Sequence, residues 1–493
     1  MPHPRSRLVP QRAAQAALVL ATSVIGLGGC APSGRSGSRG EVVEIETIET
    51  LDPAADQTQK NARAAAIDDE AAKAKQTVDA ATAAADLAIA EAGKTIDKTA
   101  EAVPTAGGAA AATRERVMLG DPALTAGVPG TGPITLEQID QWLANPKTAV
   151  ELEPVLPLGL SQGAAQIKGL DKNPLTRAKI ELGRQLYFDP RLSVDSTVSC
   201  ASCHNPVEGY SAHTKTGVGI RGQLGGRNSP VSFNRILSAA QFWDGRADSL
   251  EAQAIGPIAN PIEMGFTHEG VVQRLNGIPA YRRQFDKVFG ELTIERVGEA
   301  IAAFERVLVT SPSPYDLGAE WQRLQALDAD DLAEDADLAK RHAAAKAAAA
   351  AEPLSDSALR GREIFFGTKG NCSACHVGAN LADEKFHNIG IGMDKPAPDP
   401  GRFAVTKDPK DTGAFKTPTV RNVELTAPYM HDGSLATLEE VVEWYDKGGH
   451  ANPHLSEKIR PLTLTADEKA DLVAFMKSCT GPTPAVETGR LPE

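Results

Sequence analysis

Two pentapeptides dominate what this chain could do chemically: Cys200-Ala-Ser-Cys203-His204 and Cys372-Ser-Ala-Cys375-His376. They hold four of the six cysteines in 493 residues. Two thiols at this spacing can each add to a vinyl group of one haem, and the adjoining imidazole then lies under the iron as its proximal ligand. A zinc site would need four converging ligands, and a dithiol redox pair has no use for the histidine. Two whole C-x-x-C-H units in a cysteine-poor chain therefore read as two covalently attached haems. Cys200, Cys203, Cys372 and Cys375 would be the attachment points, with His204 and His376 on the irons.

The elements that must carry these motifs come in distinct stretches. Residues 1–30 hold Arg5, Arg7 and Arg12, an apolar run from Ala13 to Leu27, and then Gly28-Gly29-Cys30. The run is too short to span a bilayer comfortably and reads as an export signal. A cysteine directly after small residues resembles a bacterial lipobox; an ordinary signal with an incidental cysteine is the alternative. The expectation is a protein on the periplasmic side of a bacterial membrane, held there only by a lipid on Cys30. Export suits the cysteine reading, because c-type haems are attached outside the cytoplasm.

Residues 31–160 are Ala-rich, acidic and nearly free of aromatics, with a weak helical spacing over Ala64–Val103 and a Gly/Pro-rich stretch over Pro104–Ala112. Such composition predicts a low-complexity tether that buries no core. The Ala-rich run Asp328–Glu352, inside a linker at 321–355, should be a solvated helical insertion. The net charge of −13 argues against a nucleic-acid partner and suits a basic redox partner.

The remainder, about 165–482, contains two copies of one pattern. Gly183-Arg-Gln-Leu-Tyr-Phe188 precedes the first haem motif and Gly361-Arg-Glu-Ile-Phe-Phe366 the second. Arg227-Asn228, Trp243-Asp-Gly245 and Ser249-Leu-Glu251 follow the first; Arg421-Asn422, His431-Asp-Gly433 and Thr437-Leu-Glu439 follow the second. The last two blocks share an offset of 188 residues. The reading is a mostly α protein with two domains related by internal duplication, at 165–320 and 356–482. Thr465 and Glu468 form a capping-box pattern ahead of the apolar stripe Leu472, Val473, Phe475 and Met476, and Cys479 should be a buried or idle thiol. Where the copies diverge, the first offers Trp243, Gln253 and Glu263, and the second His431, Tyr445 and a Lys447-Gly-Gly-His450 segment.

Phe188-Asp-Pro-Arg-Leu-Ser193, Gly226-Arg-Asn-Ser-Pro230, Phe242-Trp-Asp-Gly-Arg246, Asn260-Pro-Ile-Glu-Met-Gly265, Thr417-Pro-Thr-Val-Arg-Asn422 and Pro428-Tyr-Met-His-Asp-Gly433 stand in this order around the haem motifs. The set resembles the bacterial di-haem cytochrome c peroxidases and their relative that matures the tryptophan tryptophylquinone of methylamine dehydrogenase. The resemblance implies two tandem cytochrome-c-like domains, the first holding the peroxidatic haem and the second passing electrons, with one calcium ion between them. It implies Glu263 as catalytic carboxylate, Gln253 as distal amide and Trp243 as the aromatic between the haems. Asn228, with Thr426 and Pro428 through their carbonyls, would be the calcium ligands.

The activity it implies is reduction of hydrogen peroxide to water, with electrons from a small cytochrome or cupredoxin. The alternative is peroxide-driven oxidation of a protein substrate through paired high-valent haems. A non-catalytic electron carrier would have no need of Glu263 and Gln253.

Two positions depart from the peroxidases. The histidine that blocks the first haem until reductive activation would fall sixteen residues after His204, where this chain has Ile220. The first haem is therefore expected to be open already in the oxidised enzyme, with His213 as the nearby substitute ligand to consider. The far-side methionine of the second haem is replaced by Tyr445, fourteen residues after His431, as in the quinone-forming relative. Met430 is the competing ligand.

Overall fold

The computed structural model describes residues 114–493, and these are mostly helical. Cys30 and the segment Ala64–Val103 lie outside the described residues. Folded structure begins well before residue 165. Strand β1 (Glu115–Met118) runs parallel to β2 (Glu151–Val155), which pairs antiparallel with β3 (Leu175–Thr176). Helix α1 (Leu136–Ala144) connects β1 and β2 and opens with a Thr135/Gln138 capping box. Leu119, Leu152, Leu156 and Leu160 are buried in the main core, and Ile134 and Ile139 in a smaller one against Ala280. The expected coreless tether out to residue 160 is thus corrected for residues 114–160. Their apolar side chains are too sparse to make a core alone, but the haem-binding fold supplies the other side, which local composition does not reveal.

The C-terminus also extends the fold past residue 482. Ile134 N–H donates to Leu491 O at 2.8 Å, and Glu487 N–H to Thr125 O at 3.1 Å. The buried Arg184 guanidinium, paired with Glu181 at 2.8 Å, donates to the carbonyls of Glu487 at 2.6 Å and Arg490 at 3.1 Å. The last residues thereby strap the small N-terminal sheet region to the first haem-binding half.

Around the first C-x-x-C-H stand α2 (Arg177–Phe188), α3 (Leu250–Ala259), α4 (His268–Asn276), α5 (Pro279–Val288) and α6 (Ile294–Val307). Helix α7 (Pro314–Leu324) follows, then the largely exposed α8 (Ala329–Glu334) and α9 (Ala336–Ala351). Arg341 on α9 pairs with Glu320 on α7 at 2.7 Å, and His342 packs on Trp321. Around the second motif stand α10 (Asp356–Phe366), the short α11 (Phe403–Thr406), α12 (Leu438–Asp446) and α13 (Ala466–Ser478), beside a two-stranded ladder of β4 (Phe386–His387) and β5 (Phe415–Lys416). Side-chain caps start many of these helices: Thr176, Ser249, Thr267, Thr293, Ser355, Thr437 and Thr465 each accept an N–H from the first turn. Such a cap contributes about 1 kcal/mol. Thr465 and Glu468 complete the capping box read from the sequence.

The same crossing recurs in each half. A Cβ on Gly183 of α2 would lie 1.9 Å from Ala300 O and 2.9 Å from Phe304 Cβ on α6. A Cβ on Gly361 of α10 would lie 1.9 Å from Asp471 O and 2.9 Å from Phe475 Cβ on α13. Backbone touches backbone at both crossings, so only glycine fits. Gly183→Ala is expected to destabilise the fold by about 3 kcal/mol, as forced overpacking does. Gly256→Ala on the exposed side of α3, where a Cβ would make only ordinary contact with the Phe242 ring at 3.5 Å, should be neutral or mildly stabilising. Urea midpoints of the two variants check this.

Candidate active site

Each haem motif is a single 3-10 turn. Cys200 O accepts from Cys203 N–H at 3.1 Å and His204 N–H at 3.0 Å; Cys372 O accepts from Cys375 N–H at 3.2 Å and His376 N–H at 2.9 Å. The turn brings the two thiols and the imidazole of each motif to one side, and none of the four thiols is in a disulfide. His376 Nδ1–H donates to Leu381 O at 3.0 Å, which leaves Nε2 for a metal. His204 Nδ1 is buried without a hydrogen-bond partner. Burial holds both rings neutral, pushing His204 down to about 4 and lowering His376 as well. Neutral imidazole is the ligating form.

Both motifs open on one cavity of about 650 Å³, walled by Leu250 and Pro257 in the first half and by Val442, Leu462, Leu464 and Leu472 in the second. Paired thiols, a neutral imidazole and a largely apolar chamber are what covalent haem binding requires, so the residues fit a haem at each motif. Cys200 packs against the first core, while Cys203, His204, Cys372, Cys375 and His376 border the chamber.

Trp243 stands in the chamber where the two halves meet. Its Nε1–H donates to Asn228 O at 2.9 Å, and its carbonyl accepts Lys416 N–H at 2.8 Å from the second half. Asn228 N–H donates to His431 O at 2.8 Å. His431, the counterpart of Trp243, stacks on Phe415 at 3.6 Å, and burial pushes it down to about 4. Arg227 ties the halves together through Asp244 at 2.7 Å and Asp399 at 2.8 Å, and its pKa is held high by those two carboxylates against the cost of burial.

Glu263 sits in the tight turn after α3, where Gly265 adopts φ +60° and closes directly on Ile220. Glu263 borders the chamber, with Asn260 Nδ2–H donating to Oε1 at 2.9 Å. Burial raises its pKa, opposed by the charge of Arg246 and by that hydrogen bond. Gln253, on α3, borders the same chamber. Ile220 is buried in the first core and is not part of the chamber wall. His213 is exposed, its Nε2–H donating to Leu425 O at 3.0 Å beside a separate groove.

In the second half Tyr445 and Met430 both border the chamber. Burial drives the Tyr445 phenol well up, and the nearby Cys375 and Cys372 thiols push the same way. Asn228, Thr426 and Pro428 lie along the chamber wall; Asn228 Nδ2–H donates to Thr214 O at 3.1 Å. Cys479 is buried, with Sγ near Phe475 O.

Two residues without an assigned role in the sequence reading belong to this site. Arg246 lies 3.5 Å over the Phe242 ring and biases Glu263 toward its ionised form. Arg227 bridges the halves. Both occur inside the quoted motifs, so the signal was present; what the sequence did not show is that Arg227 reaches Asp399, 172 residues away.

The family described as di-haem cytochrome c peroxidase matches residues 177–322. The methylamine utilization protein MauG of Methylorubrum extorquens is 39% identical over 328 residues, covering 65% of this chain and 83% of that protein. The cytochrome c551 peroxidase of Nitrosomonas europaea is 38% identical over 316 residues, covering 63% of this chain and 83% of that protein. Among solved structures, a MauG-like protein associated with microbial copper homeostasis is similar at 33% identity and a TM-score of 0.53, covering 63% of this chain and 91% of that one. The extent of these matches and the paired thiol–imidazole turns on one chamber agree: this chain belongs to the di-haem cytochrome c peroxidase family of oxidoreductases, whose members carry two c-type haems.

Proposed function

We propose that this chain reduces hydrogen peroxide to water at the His204 side of the chamber, with electrons delivered from the His376 side by a small cytochrome or cupredoxin. The observation that carries this is the placement of Glu263 and Gln253 on the chamber of His204 while Ile220 packs into the core. A haem on His204 would supply the iron centre and the route for two electrons, which with two protons from solvent complete the reduction of peroxide to two waters. Glu263 takes the proton from one peroxide oxygen and returns it to the other, so that the O–O bond breaks and water leaves. Asn260 orients its carboxylate, and Gln253 offers an amide to hold the peroxide. Trp243, between the halves, is the electron relay.

The remaining assignments are part of the same proposal. The domains at 165–320 and 356–482 arose by internal duplication, a reading supported by the matched crossings at Gly183 and Gly361. A calcium ion between the halves would use Asn228 Oδ1 and the carbonyls of Thr426 and Pro428, all oxygen ligands suited to it. Export and a lipid anchor on Cys30 follow from residues 1–30; no helix among the described residues is long and apolar enough to cross a membrane. Residues 31–113 of the expected 31–160 tether lie outside the described residues.

A second reading, oxidation of a protein substrate, is favoured by Tyr445. A phenol beside the second thiol pair suits a low-potential haem that is hard to keep reduced. Peroxide added to the oxidised protein without reductant separates the two readings. Rapid spectral change followed by oxidation of an added protein supports the second; turnover only with reduced cytochrome c supports the first.

Glu263→Gln should lower peroxide turnover by about 100-fold or more. In the unaltered protein the rate should fall as pH drops through the raised pKa of Glu263, because the proton acceptor is lost. That acid limb should vanish in the variant, and undiminished turnover would remove Glu263 from the mechanism. The oxidised protein should show one high-spin and one low-spin ferric haem. Tyr445→Phe should alter the low-spin spectrum while Met430→Leu leaves it unchanged; the reverse pattern assigns Met430. Chelation should slow turnover and added calcium restore it, and an unchanged rate in calcium-depleted protein would dismiss the ion.

A further inference from the structure

The matched crossings align the last helix of each half residue by residue. Gly183 meets Ala300 and Phe304, and Gly361 meets Asp471 and Phe475. The next position, bordering the chamber in both halves, is Glu305 in the first and Met476 in the second. The fold therefore accepts an apolar side chain here, and the second half uses one. In the first half the same position holds a carboxylate that is 5% exposed, with Oε2 lacking any hydrogen-bond partner. Nothing in the peroxide chemistry assigned above uses this group.

Its surroundings come from every packed element. Arg235, from the turn Arg235–Leu237, exerts the strongest attraction on Glu305, and its own guanidinium is engaged by Gln241. Arg306, next on α6, is committed to Glu251 of α3 at 2.6 Å. Glu251 repels the Glu305 charge. Tyr187 of α2 and Cys200 of the haem-binding turn lie on the remaining sides and feel Glu305 in return. Tyr187 O–H donates to His204 O at 3.0 Å, so this carboxylate stands beside the turn that holds the first haem. Beyond Arg235 are Glu384 and Lys416.

We propose that Glu305 is a proton acceptor coupled to reduction of the haem held by His204. When that haem gains one electron from the redox donor, the Glu305 carboxylate gains one proton from solvent, and it releases the proton when the electron leaves. The chamber then carries no change in net charge, which is the costly quantity in a buried site. Burial pushes the Glu305 carboxyl up to about 8, so its exchange falls within an accessible range of pH. The positive charge of an oxidised haem favours the carboxylate and its loss favours the acid. The potential of this haem must then fall as pH rises, and at the second haem the same place is held by Met476, which carries no proton.

This rests on the di-haem reading, and the test reads potentials rather than turnover. The holoprotein, Glu305→Gln and Glu305→Met are titrated spectroelectrochemically from about pH 6 to about pH 9, with each haem followed by its own spectrum. The first-haem potential of the unaltered protein should fall by up to about 59 mV for each tenfold drop in proton activity, the one-electron, one-proton limit. Both substitutions should flatten that dependence and leave the second haem unmoved. A flat profile in the unaltered protein, or an undiminished slope in Glu305→Gln, overturns the proposal. Glu305→Gln keeps the shape and polarity of the side chain, so it decides the matter if Glu305→Met does not load haem. Failure of the di-haem reading would show separately, as fewer than two covalent haems per unaltered chain.

Discussion

The contact on which the structure depends is the approach of two helix backbones at a glycine, made once in each half. At Gly183 and again at Gly361 there is no room for even a methyl group. Helices this close place their flanking aromatics directly against the haem-binding turn. Tyr187 and Phe304 meet edge to face at 5.1 Å, and Tyr187 reaches the carbonyl of His204. In the second half Phe365 and Phe475 lie 4.9 Å apart, and Phe365 sits 6.1 Å from the His376 ring. A larger separation would unseat the aromatics and widen the chamber. The crossing therefore sets where each thiol pair and imidazole can stand.

On that shared frame the halves carry different chemistry. Tyr187 faces Phe365 across the repeat, Trp243 faces His431, and Glu305 faces Met476. The first half gathers buried polar groups, several without partners of their own. The second lines its part of the chamber with Val442, Leu462, Leu464, Leu472 and the Tyr445 phenol, and groups Asp383, His387 and Lys458 about Cys375. In a low-dielectric interior a carboxyl such as Glu263 shifts toward the pKa of a proton carrier, because burial disfavours its charge. The second half has Met476 where the first has the buried carboxyl of Glu305.

The halves work as one chamber because their junction is held by directional bonds. Arg227 spans from Asp244 to Asp399, and Arg402 donates to the carbonyls of Asp244 and Gly245 at 2.8 Å. Arg421 forms a fully buried pair with Asp316 at 2.7 Å and also donates to Gly159 O at 2.8 Å, tying the second half to α7 and the N-terminal region. Forked guanidinium–carboxylate pairs fix orientation as well as distance. Trp243 is fixed at this junction by Asn228 and Lys416, which suits a relay whose position must not drift.

Legibility in the sequence divides along physical lines. The haem motifs, the repeat and the helix caps are local patterns, because covalent attachment and capping need residues within a few positions of one another. The amino-acid sequence by itself therefore determined the two haem-binding turns, the helical class and the doubled pattern. It misplaced the start of the fold, because residues 114–160 are stabilised by partners far away in the chain and by the returning C-terminal strap. The absence of a histidine at Ile220 was visible in the sequence; its burial in the core was not. Only the tertiary structure decided that Glu263, Gln253 and Trp243 share one chamber with His376 and Tyr445, that Arg227 locks it, and that Glu305 faces it where the repeat has Met476. Burial, and the loss of solvation that comes with it, is a property of the packed neighbourhood, and that neighbourhood is assembled from residues hundreds of positions apart.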